Sequence, residues 1–453
     1  MFKTIQRIHF IGIGGSGMSG IAEALLNLGY KVSGSDMKST DVTERLSRLG
    51  ADIHYGHKAE NASRAQVVVT STAVQSSNPE VVYARKHKIP VIPRIEMLAE
   101  IARLKYTIAV AGTHGKTTTT SMTAGVLQEG GLDPTFIVGG KVLHLQSGAK
   151  VGGGDFMVAE ADESDGSFLK LSPTIGIITN IDNDHLDYYK TFDKLKKAFI
   201  EFGNHIPFYG CMIVCLEDPN VRAILPDLKR RVVSYGFGEK ADYRAVDLKS
   251  DHSGSQYTLM KSGKIMGRVR LGVSGRHNVL NSLAAAACGD EVGIPFEKIS
   301  RALESFVSVG RRLEQRGSKN GALWIDDYGH HPTEVRATLA ALRERFPEKK
   351  LVVVFQPHRY SRTKILRKDF GQSFKHADLV LLMPIYAAGE SPIPGITSKC
   401  LVPHIQKTGT KVTLLNGDVL ATIQKHIEPD SVILTLGAGD VWKTGEKLFG
   451  LVK

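Results

Sequence analysis

Cysteine is scarce, with four in 453 residues. Cys211 and Cys215 share the apolar run CMIVC, Cys288 lies in an alanine-rich stretch, and Cys400 stands alone. None has the spacing of a metal site, so core thiols in a reducing compartment are expected. Long apolar runs are lacking too. No stretch approaches membrane-spanning length and the N-terminus carries no signal-peptide pattern, so a cytoplasmic protein without membrane contact is expected. Aromatic residues make up 7%, and the lysines and arginines are scattered, so the net charge of +12 is not gathered into a nucleic-acid-binding stripe. Anionic small substrates, or a solvated basic surface, account for the charge, and no nucleic-acid partner is expected. Low-complexity linkers and close internal repeats are missing. The remaining composition, 42% hydrophobic and 23% charged, is ordinary for a globular protein with two to four domains.

The most informative stretch present is YTIAVAGTHGKTTTTSMTAGVLQ, residues 106–128. Tyr106 to Ala111 reads as a buried strand, Gly112-Thr113-His114-Gly115-Lys116-Thr117 as a turn, and the residues after Thr117 as a helix. That is the layout of a phosphate-binding loop. Gly112 and Gly115 let backbone N–H groups reach phosphate oxygens, Lys116 can meet the β- and γ-phosphates, and the Thr117 hydroxyl can ligate Mg²⁺. The strict pattern wants glycine where Val110 stands, six residues before Lys116.

Upstream, RIHFIGIGGSGMSGIAEALLNLGYKVSGSD (7–36) reads as strand, Gly12-x-Gly14-Gly15-x-Gly17, helix, and a second strand ending at Asp36. This is a diphosphate-binding βαβ fingerprint; NAD or a UDP-sugar would use the same turn. Further strands are expected at 67–74 and 89–93, with a helix at 79–88 between them. Downstream of the phosphate loop, a strand at 156–160 delivers AEADESD to its C-terminal tip, where a Mg²⁺ carboxylate belongs. Glu160 is the first candidate, with Asp162, Glu163 and Asp165 nearby. A strand at 175–179 ends in NIDNDHLDYY, gathering Asn180, Asp182, Asp184, His185 and Asp187; a metal or phosphate role and a structural one are both open. Residues 207–273 look β-rich without evident chemistry. In GRHNVLNSLAAAACGDEVG, Asn278 and Asn281 share a helical face and could meet a base, or Asn278 could cap the helix. From Gly317 the chain repeats αβ units, and its strand ends carry Asp327, Tyr328, His330, His331, His358, Arg359 and Arg362.

GTHGKTTT, EADESD, TNIDNDHLD, HNVLNSLAA, GRRLE and DDYGHHPTEV stand in the order and spacing of the Mur ligases, and the chain resembles that ATP-dependent family over essentially its whole length. The resemblance implies an α/β protein of three domains. These are a Rossmann-like UDP-sugar domain (1–103), a central phosphate-loop ATPase-type α/β domain (104–315), and a Rossmann-like α/β C-terminal domain for the amino acid (316–453). It implies ATP and two Mg²⁺ ions as cofactors. IGIGGSGMSGIAE and FQPHRYSRT point within the family to UDP-N-acetylmuramate and L-alanine as substrates, handled by a monomer or weak homo-oligomer. By motif position, Gly112, Thr113, His114, Gly115, Lys116, Thr117 and Thr118 would hold the nucleotide phosphates. Thr117 and Glu160 would ligate one metal and His185 a second. His277, Asn278, Asn281 and Arg312 would serve the nucleotide, and Asp327 its ribose. Gly14, Gly15, Ser16, Gly17, Asp36 and Ser71 would face the UDP moiety, and Tyr328, His330, His358, Arg359 and Arg362 would surround the alanine. Lys116 would be catalytic, with His330 or His358 as the base for the amine.

Overall fold

The computed structural model describes residues 5–71, 73–142, 147–251 and 254–450. Three sheets carry the chain. The first is β1 (Arg7–Ile11), β2 (Lys31–Asp36), β3 (Asp52–Tyr55), β4 (Val67–Thr70) and β5 (Val91–Pro93), in the order β3-β2-β1-β4-β5 and parallel throughout. The order reverses beside β1, and ligands of open α/β sheets sit at such a switch point, next to the strand C-termini.

The second sheet comprises β6 (Tyr106–Ala111), β7 (Thr135–Val142), β8 (Ser147–Lys150), β9 (Phe156–Glu160), β10 (Ile175–Ile178), β11 (Cys211–Cys215), β12 (Val232–Gly236), β13 (Tyr243–Asp251), β14 (Gly254–Lys261) and β15 (Lys264–Leu271). Its order is β15-β14-β13-β12-β11-β10-β6-β9-β7-β8. The phosphate-loop strand β6 lies between β10 and β9, parallel to both, so three strand tips converge. The third sheet is β16 (Glu314–Lys319), β17 (Ala322–Asp327), β18 (Lys350–Phe355), β19 (Leu379–Leu382), β20 (Lys411–Leu414) and β21 (Ser431–Leu436), ordered β16-β17-β21-β18-β19-β20.

By contact density the chain forms two compact units: residues 1–248, 256–271 and 280–307 in one, and 249–255, 272–279 and 308–453 in the other. The first sheet and most of the second therefore share a unit, the end of β13 and the start of β14 falling in the other. In the second unit the central strands β18, β19 and β21 are almost wholly buried, because both of their faces are covered. Val353 and Phe355 of β18 pack into one buried cluster, while Val352 and Val354 pack into another on the opposite face. Helices begin where local chemistry starts them, as at Asp218, whose carboxylate caps Pro219–Ile224 by accepting from the backbone of Asn220 and Val221. All four cysteines are free thiols; Cys211, Cys215 and Cys288 are buried. No helix among the described residues is long and apolar enough to cross a membrane.

Candidate active site

In the first unit, β6 ends and the chain turns through Gly112 (φ +128°) and Gly115 (φ +84°) into the helix Lys116–Glu129. Both glycines are sterically required. A Cβ on Gly112 would lie 2.1 Å from Thr179 Oγ1, and one on Gly115 would lie 2.8 Å from Asn281 Oδ1. The turn is anchored from the tip of β10. Asn180 accepts from Thr113 N through its carbonyl (3.1 Å) and from His114 N through Oδ1 (2.8 Å), and its Nδ2 donates to His114 O (2.9 Å). Thr179 Oγ1 donates to the same carbonyl at 2.6 Å. Asp182 completes the clamp: its N–H donates to Thr113 Oγ1 (2.9 Å) and its carboxylate meets His114 Nε2 (3.0 Å). Thr117 and Thr118 lie in the first helical turn, whose N–H groups have no intrahelical acceptor. A loop anchored by these bonds, with glycines at its two turning points and opening a helix N-terminus, suits a phosphate.

Lys116 Nζ is directed to the floor of this loop. It donates to Gly112 O (2.7 Å) and Thr113 O (3.3 Å), and pairs with Glu163 (2.9 and 3.1 Å). Burial alone would lower the lysine pKa. The charges of Glu163, Asp162 and Glu160 overcome that and hold it above its ordinary value. Glu160 ends β9, half-buried, and His185 (φ +57°) caps the short helix Leu186–Tyr189. His185 Nε2 lies 3.7 Å from Glu163 Oε1 and 3.8 Å from Asp184 Oδ2. The side chain of Asp187 lies outside the described residues. Thr117 and Glu160 offer the hard oxygen donors that Mg²⁺ takes, whereas His185 offers a nitrogen, which Mg²⁺ accepts less readily than a transition metal does.

The glycine turn of the first sheet is built differently from a free phosphate cradle. Asp36 does not stand clear of it: Oδ2 accepts from Gly14 N at 2.9 Å and Oδ1 from Met37 N at 2.7 Å. Gly15 caps the helix Ser16–Asn27; the side chain of Ser16 lies outside the described residues. Arg94 lies across Gly17, with Nη1 2.0 Å from where a Cβ would be, so a side chain there would displace the guanidinium. Arg94 then pairs with Asp162 at 2.9 Å, joining the glycine turn to the acidic loop of β9. Burial would raise the Asp162 pKa, but Lys116 and Arg94 hold it down. Ser71 follows β4, half-buried, and its carbonyl accepts from Val74 N. Asn281 is buried with its Oδ1 accepting from Thr119 Oγ1 (3.1 Å).

In the second unit the ends of β17 and β18 carry a row of rings. Tyr328 meets His330 at 5.5 Å between centroids, His330 meets His358 at 5.4 Å, and His358 stacks on Tyr386 at 5.8 Å. Arg311 and Arg312 both lie over the Tyr328 ring, 5.1 and 5.2 Å from its centre. Arg362 Nη1 contacts His358 Nδ1 at 3.1 Å; a guanidinium only donates, so that nitrogen is the acceptor. His330 has the opposite tautomer, because its Nδ1 faces the Tyr328 carbonyl at 3.2 Å and must donate to it. Arg359, exposed, begins the helix Tyr360–Ser373 at φ +67°, a conformation a non-glycine residue holds only under constraint. His277 is half-buried, and burial, helped by the charge of Arg312, lowers its pKa to about 4. Asn278 does not cap its helix, which begins at Arg276; its Nδ2 donates to Ser274 O at 2.8 Å.

Asp327 is buried, and its two oxygens accept from Leu313 N, Gly329 N and Thr338 Oγ1. These bonds give it the work of holding the end of β17. Sequence reasoning passed over Arg94, touched Arg311 only within the GRRLE motif, named Asn180 without its anchoring role, and ranked Glu163 behind Glu160. Arg311 ties Asp326 (2.9 Å) to the carbonyls of Gly437 (2.6 Å) and Gly439 (3.2 Å). Glu163 and Asn180 had a signal in the acidic and asparagine-rich strand tips, and Arg311 in GRRLE; Arg94 had none.

Carboxylates at strand tips beside a lysine–threonine loop make the first unit a nucleotide-dependent α/β enzyme core. Family models match most of the chain: "Mur ligase family, catalytic domain" over residues 7–106, "Mur ligase middle domain" over 110–289, and "Mur ligase, glutamate ligase domain" over 311–439. A UDP-N-acetylmuramate–L-alanine ligase of Geobacter sp. (strain M21) is 52% identical over 451 residues, 99% of this chain and 98% of that one. One from Endomicrobium trichonymphae is 52% identical over 452 residues, 100% of both. Among solved structures, UDP-N-acetylmuramate-alanine ligase from Thermotoga maritima superposes with a TM-score of 0.83 at 30% identity, covering 98% of each chain. A murein peptide ligase from Psychrobacter arcticus gives 0.74 at 24% identity, again covering 98% of each, and shows the fold alone. The chain belongs to the Mur ligase family, the ATP-dependent ligases, and has its three-domain α/β fold.

Proposed function

We propose that this chain joins L-alanine to the lactyl carboxylate of UDP-N-acetylmuramate, driven by ATP, as a step of peptidoglycan precursor synthesis. The observation that carries the reading is the end-to-end 52% identity to ligases of that name. The phosphate loop, in which Gly112 and Gly115 are required, and the ring row of the second unit suit the same chemistry. We divide the chain into domains 1–103 for the UDP-sugar, 104–315 for ATP and 316–453 for the amino acid.

A carboxylate does not condense with an amine directly, because oxide is a poor leaving group. Phosphorylation by ATP gives an acyl phosphate, which the alanine amine attacks, releasing phosphate. The first step brings two anions together. Lys116 and the N-terminus of its helix supply fixed positive charge there, and no side-chain nucleophile is needed. Bound Mg²⁺, held by Thr117 and Glu160 with His185 for a second ion, would neutralise further phosphate charge. Gly14, Gly15, Gly17 and Ser71, with Arg94 across the turn, suit the UDP-sugar, and Asp36 braces the turn. Asn281 backs the phosphate loop; His277, Asn278 and Arg312 are assigned to the nucleotide base, His277 as a neutral ring.

The amine must lose a proton. Of the two candidates, His330 suits this better than His358. The Nδ1–H bond of His330 to Tyr328 O leaves the lone pair on Nε2, while His358 gives its Nδ1 lone pair to Arg362. Glu334 steadies His330 by accepting from its backbone N–H at 2.9 Å. The experiment is phosphate release with UDP-N-acetylmuramate and with its peptide-extended forms, across a panel of amino acids. Turnover confined to the unextended sugar and L-alanine supports the reading; turnover only with peptides refutes it.

A further inference from the structure

The ion pair between Lys116 and Glu163 is more than a neutralised charge. An ammonium has three N–H donors. Around Nζ stand Gly112 O at 2.7 Å, Thr113 O at 3.3 Å, and Glu163 Oε2 and Oε1 at 2.9 and 3.1 Å. The chain already engages every donor, so a phosphate oxygen can reach Nζ only by replacing one of these partners. The two carbonyls cannot turn away, because the peptide units that carry them are pinned: Thr113 N donates to Asn180 O (3.1 Å) and His114 N to Asn180 Oδ1 (2.8 Å). Glu163 can, because its hold is through a rotatable side chain. Its backbone carbonyl is fixed, accepting from Tyr189 Oη at 2.6 Å and Gly166 N at 3.1 Å. Its carboxylate, fully buried, has a second neighbour able to carry positive charge, His185 Nε2 at 3.7 Å from Oε1.

We propose that Glu163 is the positioning residue for Lys116: it holds the ammonium on the loop floor and is the partner exchanged for phosphate when nucleotide binds. The inference rests on the phosphate-loop reading and adds a competitor to it. Nucleotide affinity is set against an internal carboxylate, and the lysine stays aimed at the loop without being spread among solvent conformations.

The test is Mg²⁺-free ADP binding, by calorimetry in the presence of EDTA, to wild type, Glu163→Gln and Glu163→Asp. With the competing charge removed, Glu163→Gln should bind on the order of tenfold tighter, the effect of one charge-assisted hydrogen bond. Glu163→Asp, which keeps the charge, should stay near wild type. Unchanged or weaker binding by a folded Glu163→Gln overturns the proposal, since a merely structural acid would give that. If Glu163→Gln does not fold, melting temperatures decide. Lys116→Met alone should melt lower than wild type, because a carboxylate is left buried and unpaired. Lys116→Met with Glu163→Gln should recover most of the loss, and failure to recover overturns the pairing. A wild-type protein that does not bind ADP at all would refute the phosphate-loop reading itself, a result separate from either outcome above.

Discussion

Single residues here carry stability and chemistry together, and the two must be separated when variants are read. Lys116→Ala is expected to abolish ligation, losing about 3 kcal/mol or more of transition-state stabilisation. The fold will not be indifferent to it, however. Glu163 would be left in the interior without its cation, at a cost of about 3–5 kcal/mol. Denaturant midpoints measured beside turnover will show both losses, and a normal midpoint would mean that Glu163 finds another partner. Arg359 is the reverse case: its side chain is exposed, so its replacement should leave stability alone. The carboxylate is the strong handle on L-alanine, and a guanidinium meets it with paired hydrogen bonds that an ammonium cannot reproduce. Arg359→Lys should raise the KM for alanine while those for ATP and the UDP-sugar move little. If all three shift together, Arg359 organises its domain through the strained backbone at φ +67°.

Between elements, the phosphate loop is held from the tip of β10 as much as by its own sequence. Gly112→Ala should therefore be destructive, since a methyl group would meet Thr179 Oγ1 at 2.1 Å with φ at +128°. Loss of nucleotide binding with a melting temperature several degrees lower is the expected result, and a variant with normal ADP affinity would show that the loop can relax. Much at this scale is legible in the sequence. Tyr106–Ala111 and Phe156–Glu160 form as expected, because short apolar runs bounded by glycine or acidic residues leave few alternatives. The strand expected at 67–74 stops at Thr70 because β1 offers partners only to Val67, Val68 and Val69. The helix Pro219–Ile224, inside a stretch that reads as β-rich, carries a legible Asp-Pro start. Rank among like residues is not legible. Glu160, Asp162, Glu163 and Asp165 look alike in sequence, and only the fold buries Glu163 against Lys116 and sends Asp162 to Arg94.

For the whole molecule, acid should act on the two units at different pH. In the second unit His277 titrates near 4 when folded against 6.5 when unfolded, so its contribution is complete above pH 6.5 and is lost as pH falls toward 4. In the first unit the acid-sensitive group is Glu80, buried in the first sheet's packing. Burial alone would raise its pKa, but His9, Ser35 and Asn61 hold it at about 2. Ser35 Oγ donates to Oε2 at 2.7 Å and Asn61 Nδ2 to Oε1 at 2.6 Å, with His9 Nε2 3.6 Å from Oε2. A folded pKa of about 2 below an unfolded 4.5 is worth on the order of 3 kcal/mol at neutral pH. That stability is fully present above pH 4.5 and disappears as pH falls toward 2. Glu80→Gln keeps the size and one acceptor but cannot ionise. It should lower the denaturation midpoint at pH 7 and flatten the stability–pH curve below 4.5, while leaving the His277 region between 6.5 and 4 unchanged. Hydrogen exchange should place the loss in β1, β2 and the helix Pro79–Lys86. A Glu80→Gln protein with the wild-type slope below pH 4.5 would show that some other carboxylate governs acid unfolding of this unit.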